Sequence, residues 1–333
     1  MKKLSVIITH YKETEEQCFR CFKSLDDQLL CNFDDFEFIL VNDCGVKLSD
    51  EYLQQFKNLK INHISTKVNG CCSGARQAGM EVMTGEYLTF IDIDDYLYND
   101  FVLFYFISEL YPMQANVYVT NSVEIFNEQN CIKYVERKRQ SVPIHGKFYK
   151  HQFLIDKNIN QALELRLNED VYWHFVIFLL AGDQNVHFSD FISYVYFPNV
   201  NSLTRLGELY GYAGQAAYVR GIDLGLEECI ERCEYERICE AATYYLVFFY
   251  YEMSSSRWFT ELGQKWIIPT EMMLSYFITK WESLWSYNID NLIEYHYDSM
   301  KLFKTIPNES FPDWYNRIRF LNVTTLPNYS QSL

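Results

Sequence analysis

The sequence predicts an α/β fold, a Rossmann-like and mostly parallel sheet with flanking helices, followed by an α-helical C-terminal domain. Three observations carry this expectation. Between Leu4 and Asp95, runs of β-branched and aromatic residues alternate with amphipathic stretches, the pattern of strand–helix units feeding a parallel sheet. Each run ends in polar residues, as strands do where they surface at the carboxyl edge of an open sheet and line one crevice. From Gly207 onward the period becomes helical nearly throughout.

Taken in order, Leu4-Ser-Val-Ile-Ile-Thr9 is the first strand. It runs into His10-Tyr-Lys-Glu13, and Thr14-x-x-Gln17 is a capping box that opens an amphipathic helix to about Leu30. Phe36 to Val41 reads as the second strand, ending in Asn42-Asp43-Cys44-Gly45, with Ser49-Asp50 placed to cap a short helix through Phe56. Ile61 to Ser65 is a weaker third strand. Asn69-Gly-Cys-Cys-Ser-Gly-Ala-Arg76 is a glycine-punctuated turn whose Ser73 is positioned to cap a helix from Gly74 to Met83. The apolar strand Leu88 to Ile91 then runs directly into Asp92, Asp94 and Asp95. Asp100 to Leu110 reads as helix, and Asn116 to Phe126 and Asn185 to Pro198 as strands. Asn168 is placed as the N-cap of a helix carrying Val171, Phe175, Ile177 and Phe178, with Glu169 and Asp170 in its first turn, where the helix dipole favours ionised carboxylates. A boundary after Arg205 gives a first domain of residues 1–205 and a helical domain of residues 206–333. In the latter, Leu209 to Leu224, Glu227 to Met253, Thr270 to Tyr287 and Ile289 to Phe303 read as amphipathic helices rich in aromatics.

The bulk properties exclude several classes. A formal net charge of -15 argues against wholesale binding to nucleic acid or to an anionic membrane, since a basic footprint normally supplies that affinity. The longest apolar runs, Phe175 to Ala181 and Tyr244 to Tyr251, fall far short of the roughly 20 residues that span a bilayer. With no charged-plus-apolar leader before the first strand, the expectation is a cytoplasmic protein without a transmembrane segment. The ten cysteines show no paired framework, which fits a reducing compartment. Cys18-x-x-Cys21 shares a helical face with Phe22 and Leu25, so buried thiols are expected there rather than a redox or zinc pair. One cationic island, Lys133, Arg137, Lys138, Arg139, Lys147 and Lys150 against Glu136 alone, is either a solvated loop or a site for an anionic group.

Asp92-Ile-Asp-Asp95 is the sharpest chemical signal. Hard divalent cations such as Mg²⁺ and Mn²⁺ take oxygen ligands and arrive bridging substrate phosphates, so an Asp-x-Asp at a strand end suits a nucleotide diphosphate. Taken alone, it is equally a solvated acidic turn in which Asp94 or Asp95 caps a helix.

The first 205 residues resemble the GT-A fold of glycosyltransferase family 2, the inverting nucleotide-sugar transferases. The matching string is Ser5-Val-Ile-Ile-Thr-His-Tyr11, Val41-Asn-Asp43, Asn69-Gly70 with Ala75-Arg76, Gly85-Glu-Tyr87 ahead of Asp92-Ile-Asp-Asp95, Glu169-Asp170 and Ser202-Leu-Thr-Arg205. The resemblance implies a nucleobase site at the first loop and the end of strand two, with Tyr11 stacking on uracil and Asp43 accepting its imide proton. Thr9, His10, Glu13, Asn69 and Ile93 are the other nucleotide-side positions it implies. Arg76 would reach the diphosphate, Asp92 would lie near ribose and donor sugar, and Asp94 with Asp92 would hold Mn²⁺ or Mg²⁺. His145 would stand in the wall between donor sugar and acceptor, and Ser202 and Arg205 would come from a loop closing over the phosphates. Asp170 would be the catalytic base, with Glu169 orienting acceptor or base.

The implied reaction moves a hexose or N-acetylhexosamine from a UDP-sugar to a hydroxyl of a carbohydrate or phosphate-containing acceptor. A cell-surface polysaccharide, a teichoic-acid-like polymer and a lipid-linked glycan are the acceptors expected. The helical tail would serve acceptor docking, homo-oligomerisation or peripheral membrane contact. Two departures stand out: Thr9-His10 replaces the family's usual Pro-Thr or Pro-Ala, and no histidine near Tyr194 to Asn201 matches one that sometimes completes the family's metal shell. A nucleotidyltransferase would instead show a glycine-rich loop after the first strand, which Thr9-His-Tyr-Lys-Glu13 lacks. A non-catalytic scaffold predicts loss of the carboxylates, yet Asp92, Asp94 and Asp170 are all present. A peptide or a modified nucleic acid remains open as the acceptor.

Overall fold

The structure is a computed structural model that describes residues 2–128, 131–197, 208–253, 261–285, 289–291, 293–294, 307 and 309–327. The chain divides into two compact units, residues 1–200 and 201–333. In the first, strands β1 (Leu4–His10), β2 (Phe36–Asn42), β3 (Ile61–Ser65) and β4 (Tyr87–Asp92) alternate with helices α1 (Glu15–Asp26), α2 (Asp50–Gln54) and α3 (Cys71–Val82). Strands β5 (Tyr96–Leu97), β6 (Val117–Glu128), β7 (Cys131–Arg137), β8 (Lys147–Lys150) and β9 (Val186–Tyr196) follow, with helices α4 (Val102–Tyr105), α5 (His151–Asp156) and α6 (Glu169–Ala181) between them. They form one sheet in the order β3-β2-β1-β4-β8-β6-β9-β5, with β7 paired to β6.

The sheet is parallel through β1, β2, β3 and β4, as the alternating pattern predicts, but mixed beyond β4. There β8 runs antiparallel to both β4 and β6, and β5 and β7 add antiparallel edges. Every residue of β1 is buried, because helices cover both faces of a central parallel strand; this is why it reads as an unbroken apolar run.

Local signals set the element ends. Thr14 and Gln17 form the expected capping box, and α1 lays Cys18, Cys21, Phe22 and Leu25 into the core. Burial pushes both thiols up, the behaviour of packed rather than reactive cysteines. Ser49 caps α2 by accepting from Tyr52 N at 3.2 Å. Helix α3 starts earlier than its sequence suggests: Cys71 takes a left-handed φ of 56°, and Gly70 is the cap. Ser73 therefore lies inside the first turn, where its hydroxyl donates to the carbonyls of Gly70 and Leu165 instead of capping. Asn168 does precede α6, but in a left-handed conformation (φ 54°) whose side chain makes no cap bond. The stretch expected to be one helix over Asp100 to Leu110 breaks into α4 and a π-helical turn over Phe106–Leu110.

The second unit contains α7 (Glu208–Cys229), α8 (Tyr235–Met253), α9 (Glu261–Lys280) and α10 (Phe311–Arg319). Helix α9 runs through Pro269, so it begins well before the start that a proline boundary suggests. The helix expected over Ile289 to Phe303 lies largely outside the described residues. Fully buried Asp223 on α7 accepts from Lys280 Nζ (2.7 Å) and Trp281 Nε1 (2.8 Å), fixing α7 to the end of α9.

One close approach shapes the functional edge. The Asn42 side chain bonds both backbone groups of Gly45, pressing that turn against the loop after β1, and a Cβ at Gly45 would overlap the Tyr11 carbonyl oxygen. Gly45→Ala is therefore predicted to cost about 1–3 kcal/mol through overpacking. Gly74→Ala, whose added Cβ meets nothing within 4 Å, is predicted to gain up to about 1 kcal/mol from helix propensity. Thermal unfolding of the two variants checks both signs.

Candidate active site

The carboxyl ends of β1, β2 and β4 meet at one edge, because the register pairs Thr9 with Asp92 and His10 with Asn42. The loop after β1 folds on its own residues. Glu13 Oε2 accepts from Tyr11 N (2.9 Å) and Lys12 N (3.1 Å), and a His10 ring nitrogen contacts the Glu13 carbonyl at 3.0 Å. This presents a half-buried Tyr11, with Lys12 Nζ 4.7 Å from its ring centre. Asp43, buried beside it, accepts on Oδ1 from Thr66 Oγ1 (2.9 Å) and Gly70 N (2.9 Å), while its own N–H donates to the His10 carbonyl. Asn69 Oδ1 accepts from Cys71 N and holds the turn into α3.

Across this edge runs a buried chain of charge. Arg76 on α3 is 2% exposed; its Nη1 donates to Glu169 Oε1 (2.8 Å) and its Nη2 to Asp92 Oδ1 (3.0 Å), where Thr9 Oγ1 also donates (2.9 Å). The guanidinium expected at a diphosphate is thus committed to two protein carboxylates, tying the end of β4 to the start of α6. Burial works to raise the Asp92 carboxyl, but Arg76 and the Thr9 hydroxyl outweigh it and hold it below the usual carboxylate range.

The three aspartates after β4 divide by environment. Asp92 and Asp94 are partly exposed, with Ile93 buried between them, while Asp95 is buried and accepts from Tyr194 Oη and Phe197 N, both at 2.7 Å. Burial, followed by Asp94 and Asp92, pushes Asp95 well above the carboxylate range. Asp95 is therefore the structural anchor of this turn. Asp92 and Asp94 remain as hard oxygen donors, a set that fits Mg²⁺ or Mn²⁺, ions that complete their shells with water and substrate phosphate. Among the described residues no group of three or more His, Cys, Asp or Glu is gathered for a metal.

Opposite Asp92 stands the first turn of α6. Asp170 Oδ1 accepts from Val171 N (2.9 Å); burial and neighbouring Glu169 push its carboxyl up to about 7, against the pull of Arg76 and Lys147. His174 is buried and held neutral by burial, with Nδ1 on the Asp170 carbonyl (2.9 Å) and Nε2 on Tyr149 Oη (2.7 Å). A carbonyl can only accept, so Nδ1 carries the proton and Nε2 accepts from the phenol. His145 stacks on Tyr194 (4.6 Å between centres) and Tyr196 (5.6 Å), and burial with nearby Lys147 lowers it to about 3, a neutral aromatic wall.

The structure places Thr9, His10, Tyr11, Glu13, Asp43, Asn69, Arg76, Asp92 and Asp94 along the carboxyl edge, with Glu169 joined to them through Arg76 and Asp170 beside it. Ser202 and Arg205 lie outside the described residues. Tyr194 and Tyr149 are not read from sequence as site residues, and no alternation marks them: Lys147, Phe148 and Tyr149 in β8 and Ser193, Tyr194 and Val195 in β9 are buried in succession. The cationic island disperses. Arg137 pairs with Glu124 (2.7 Å), Arg139 with Asp190 (3.2 Å), Lys138 with Glu136 (3.8 Å), and Lys147 turns inward.

The parallel edge thus carries a self-bonded loop after β1, an acidic strand end and an opposing helix-borne carboxylate. Residues 5–168 match the family described as Glycosyl transferase family 2, so that part of the chain is similar to its members. Among curated proteins it is 29% identical over 160 residues to glycosyltransferase GlyA of Streptococcus pneumoniae, covering 45% of this chain and 22% of GlyA. It is 35% identical over 152 residues to the uncharacterized glycosyltransferase YibD of Escherichia coli (42% of this chain, 38% of YibD). A third relative, at 33% over 104 residues, is the poly(ribitol-phosphate) beta-glucosyltransferase of Bacillus spizizenii (30% of this chain, 16% of that protein). The chain thus spans less than two fifths of the length of these relatives. In fold it is similar to S. aureus TarS 1-349 in complex with UDP-GlcNAc, with a TM-score of 0.65 and 17% identity over 87% of this chain and 84% of that one. A mannosyltransferase from Pyrobaculum calidifontis in complex with GDP-Man and Mn²⁺ gives a TM-score of 0.51 at 11% identity, over 97% and 85% of the two chains. The fold is accordingly of the GT-A type with a helical C-terminal region.

Arg76→Met is predicted to cost about 3 kcal/mol, because it strands two carboxylates that the guanidinium now satisfies. The sign with pH follows from the depressed Asp92: its contribution is present above the usual carboxylate pKa and lost as pH falls through its lowered folded value. Thermal midpoints of wild type and variant should therefore differ most at neutral pH and converge on acidification.

Proposed function

We propose that this chain is a metal-dependent, inverting glycosyltransferase that moves a hexose or N-acetylhexosamine from a UDP-sugar to an acceptor hydroxyl on a teichoic-acid-like polymer, cell-surface polysaccharide or lipid-linked glycan. The observation that carries it is the Arg76 bridge, which sets Glu169 and Asp170 across from Asp92 at the carboxyl edge of the sheet. Similarity in fold to a protein holding UDP-GlcNAc and in sequence to a poly(ribitol-phosphate) glucosyltransferase supports the donor and acceptor classes.

In this reading the uracil stacks on Tyr11 and its imide N–H donates to Asp43, whose Oδ1 is already oriented by Thr66 and Gly70. Glu13 preorganises the loop that carries Tyr11, so binding does not have to order it. Asp92 and Asp94 would hold Mn²⁺ or Mg²⁺, which when bound neutralises charge on the leaving diphosphate. His145, stacked against Tyr194 and Tyr196, walls the donor sugar. Asp170 takes the proton of the acceptor hydroxyl as its oxygen attacks the anomeric carbon opposite the departing UDP; a single displacement inverts the configuration. Glu169, fixed by Arg76, orients the acceptor, and the family resemblance gives Ser202 and Arg205 a phosphate-side role. The helical unit docks the acceptor or a second copy of the chain.

Asp170→Asn tests this directly. Turnover of the donor the wild type cleaves is predicted to fall by about 10²-fold or more, with UDP affinity by calorimetry changed less than about twofold. Survival of turnover would refute the base assignment. Because Asp170 titrates near 7 and must be charged to act, wild-type turnover should rise with pH through that value, read as the acid limb of kcat/KM.

A further inference from the structure

The turn that bears Asp92 and Asp94 is gripped at both ends by one side-chain atom. Asp95 N donates to the Asp92 carbonyl (2.9 Å), so Asp92 to Asp95 is a four-residue turn with Asp92 first, Asp94 third and Asp95 last. On one side it leans on β1, where Ile93 N donates to the Thr9 carbonyl (3.2 Å). Successive N–H groups of a strand point to opposite neighbours, so Asp92 N faces away from β1. On that side β8 pairs with β4 only at Tyr87 and Leu88 among the described residues, and its ladder ends before Asp92. An N–H left unpaired there would be costly. Tyr194 Oη, from β9, accepts from it at 3.3 Å, and the same hydroxyl donates to Asp95 Oδ2 at 2.7 Å. A phenol has one proton to give and lone pairs to accept with, so both bonds form together. One oxygen thus joins the first and last residues of the turn.

Other contacts already hold β9 in place. Tyr96 and Leu97 of β5 pair with Val195 and Tyr194, Tyr98 N donates to the Ser193 carbonyl (3.0 Å), and Phe197 N donates to Asp95 Oδ1 (2.7 Å). The Tyr194 ring is buried and lies against His145, 4.6 Å between centres and 9° from parallel. What the hydroxyl adds is confined to the turn, whose two partly exposed carboxylates are those that fit a cation. Mg²⁺ demands near-ideal octahedral geometry, so two ligands on one turn hold it only as well as the backbone between them fixes their spacing. Groups that orient metal ligands from behind contribute about 10- to 100-fold in affinity.

We propose that Tyr194 is a positioning residue for the divalent cation, its hydroxyl fixing the turn so that the Asp92 and Asp94 carboxylates serve one ion. The inference rests on the reading of those two carboxylates as the cation's ligands.

Tyr194→Phe keeps the ring and its stack with His145 and removes only the hydroxyl. Mn²⁺ is titrated into the full chain with and without UDP, the free ion being read by electron paramagnetic resonance, and UDP affinity is measured by calorimetry in EDTA. The Mn²⁺ dissociation constant is expected to rise about tenfold or more in Tyr194→Phe, with metal-free UDP affinity within about twofold of wild type. Asp95→Asn leaves one acceptor for the two donors Tyr194 Oη and Phe197 N; it loosens the same grip, should weaken Mn²⁺ binding likewise, and serves if Tyr194→Phe does not fold. Tyr118→Phe is the control: its buried hydroxyl accepts from Ala115 N (2.8 Å), and its loss should leave Mn²⁺ affinity within about twofold. A lowered thermal midpoint with unmoved Mn²⁺ affinity in Tyr194→Phe would overturn the proposal, as would an equal loss of affinity in Tyr118→Phe. A wild type that binds no Mn²⁺ in either titration refutes the ligand reading itself, whereas wild-type binding left intact by Tyr194→Phe refutes the positioning role alone.

Discussion

The buried guanidinium of Arg76 is the constraint on which the site depends. It joins Asp92 at the end of β4 to Glu169 at the start of α6, and Thr9 on β1 adds a second hold on the same Asp92 oxygen. Four elements from separate parts of the chain are thereby fixed at one point. Replacing such a buried ionic group by apolar packing often stabilises a protein, so its value here is not stability as such. Its geometry holds two carboxylates at a set separation that apolar packing could not specify. Arg76 Nε, buried and without a hydrogen-bond partner among the described residues, shows that the arrangement is not optimised for satisfaction of every group.

Around that bridge, environment rather than residue type divides the carboxylates. Asp92 beside a guanidinium and a hydroxyl stays charged. Asp95, only three residues on, is buried against Tyr194 and pushed strongly toward the neutral acid. Asp170 lies between these extremes, where a carboxylate can take a proton and release it near neutral pH. A metal clamp, a structural anchor and a general base are three tasks suited to these three electrostatic settings.

Much of the fold was legible because its signals are local. The β-branched runs of β1 to β4, the Thr14–Gln17 capping box and the Ser49 cap all lie within a few residues of what they determine. Misread positions depended on distant partners or on unusual backbone. Ser73 looks like a cap until Leu165, on a remote loop, is seen to accept its hydroxyl; Asn168 has the right residue type in a left-handed conformation. The positions on the carboxyl edge were legible as a family string, but their mutual contacts were not. Arg76 and Glu169 are 93 residues apart in sequence, and nothing local says the guanidinium turns inward. The cationic island illustrates the same limit, since Glu124 and Asp190 neutralise its arginines only once β6, β7 and β9 are side by side. Within that island no local pattern marks Lys147 as the buried member, since Phe148 and Tyr149 after it are buried as well.

Central to the proposed function is a crevice at the carboxyl edge that binds a uridine nucleotide and activates its sugar. Release of UDP from a panel of UDP-sugars, measured with and without Mn²⁺ and alongside calorimetric titration of UDP, tests it most directly. The account predicts UDP binding and metal-stimulated cleavage of at least one UDP-hexose or UDP-N-acetylhexosamine. Absence of both cleavage across the panel and any UDP binding would contradict it.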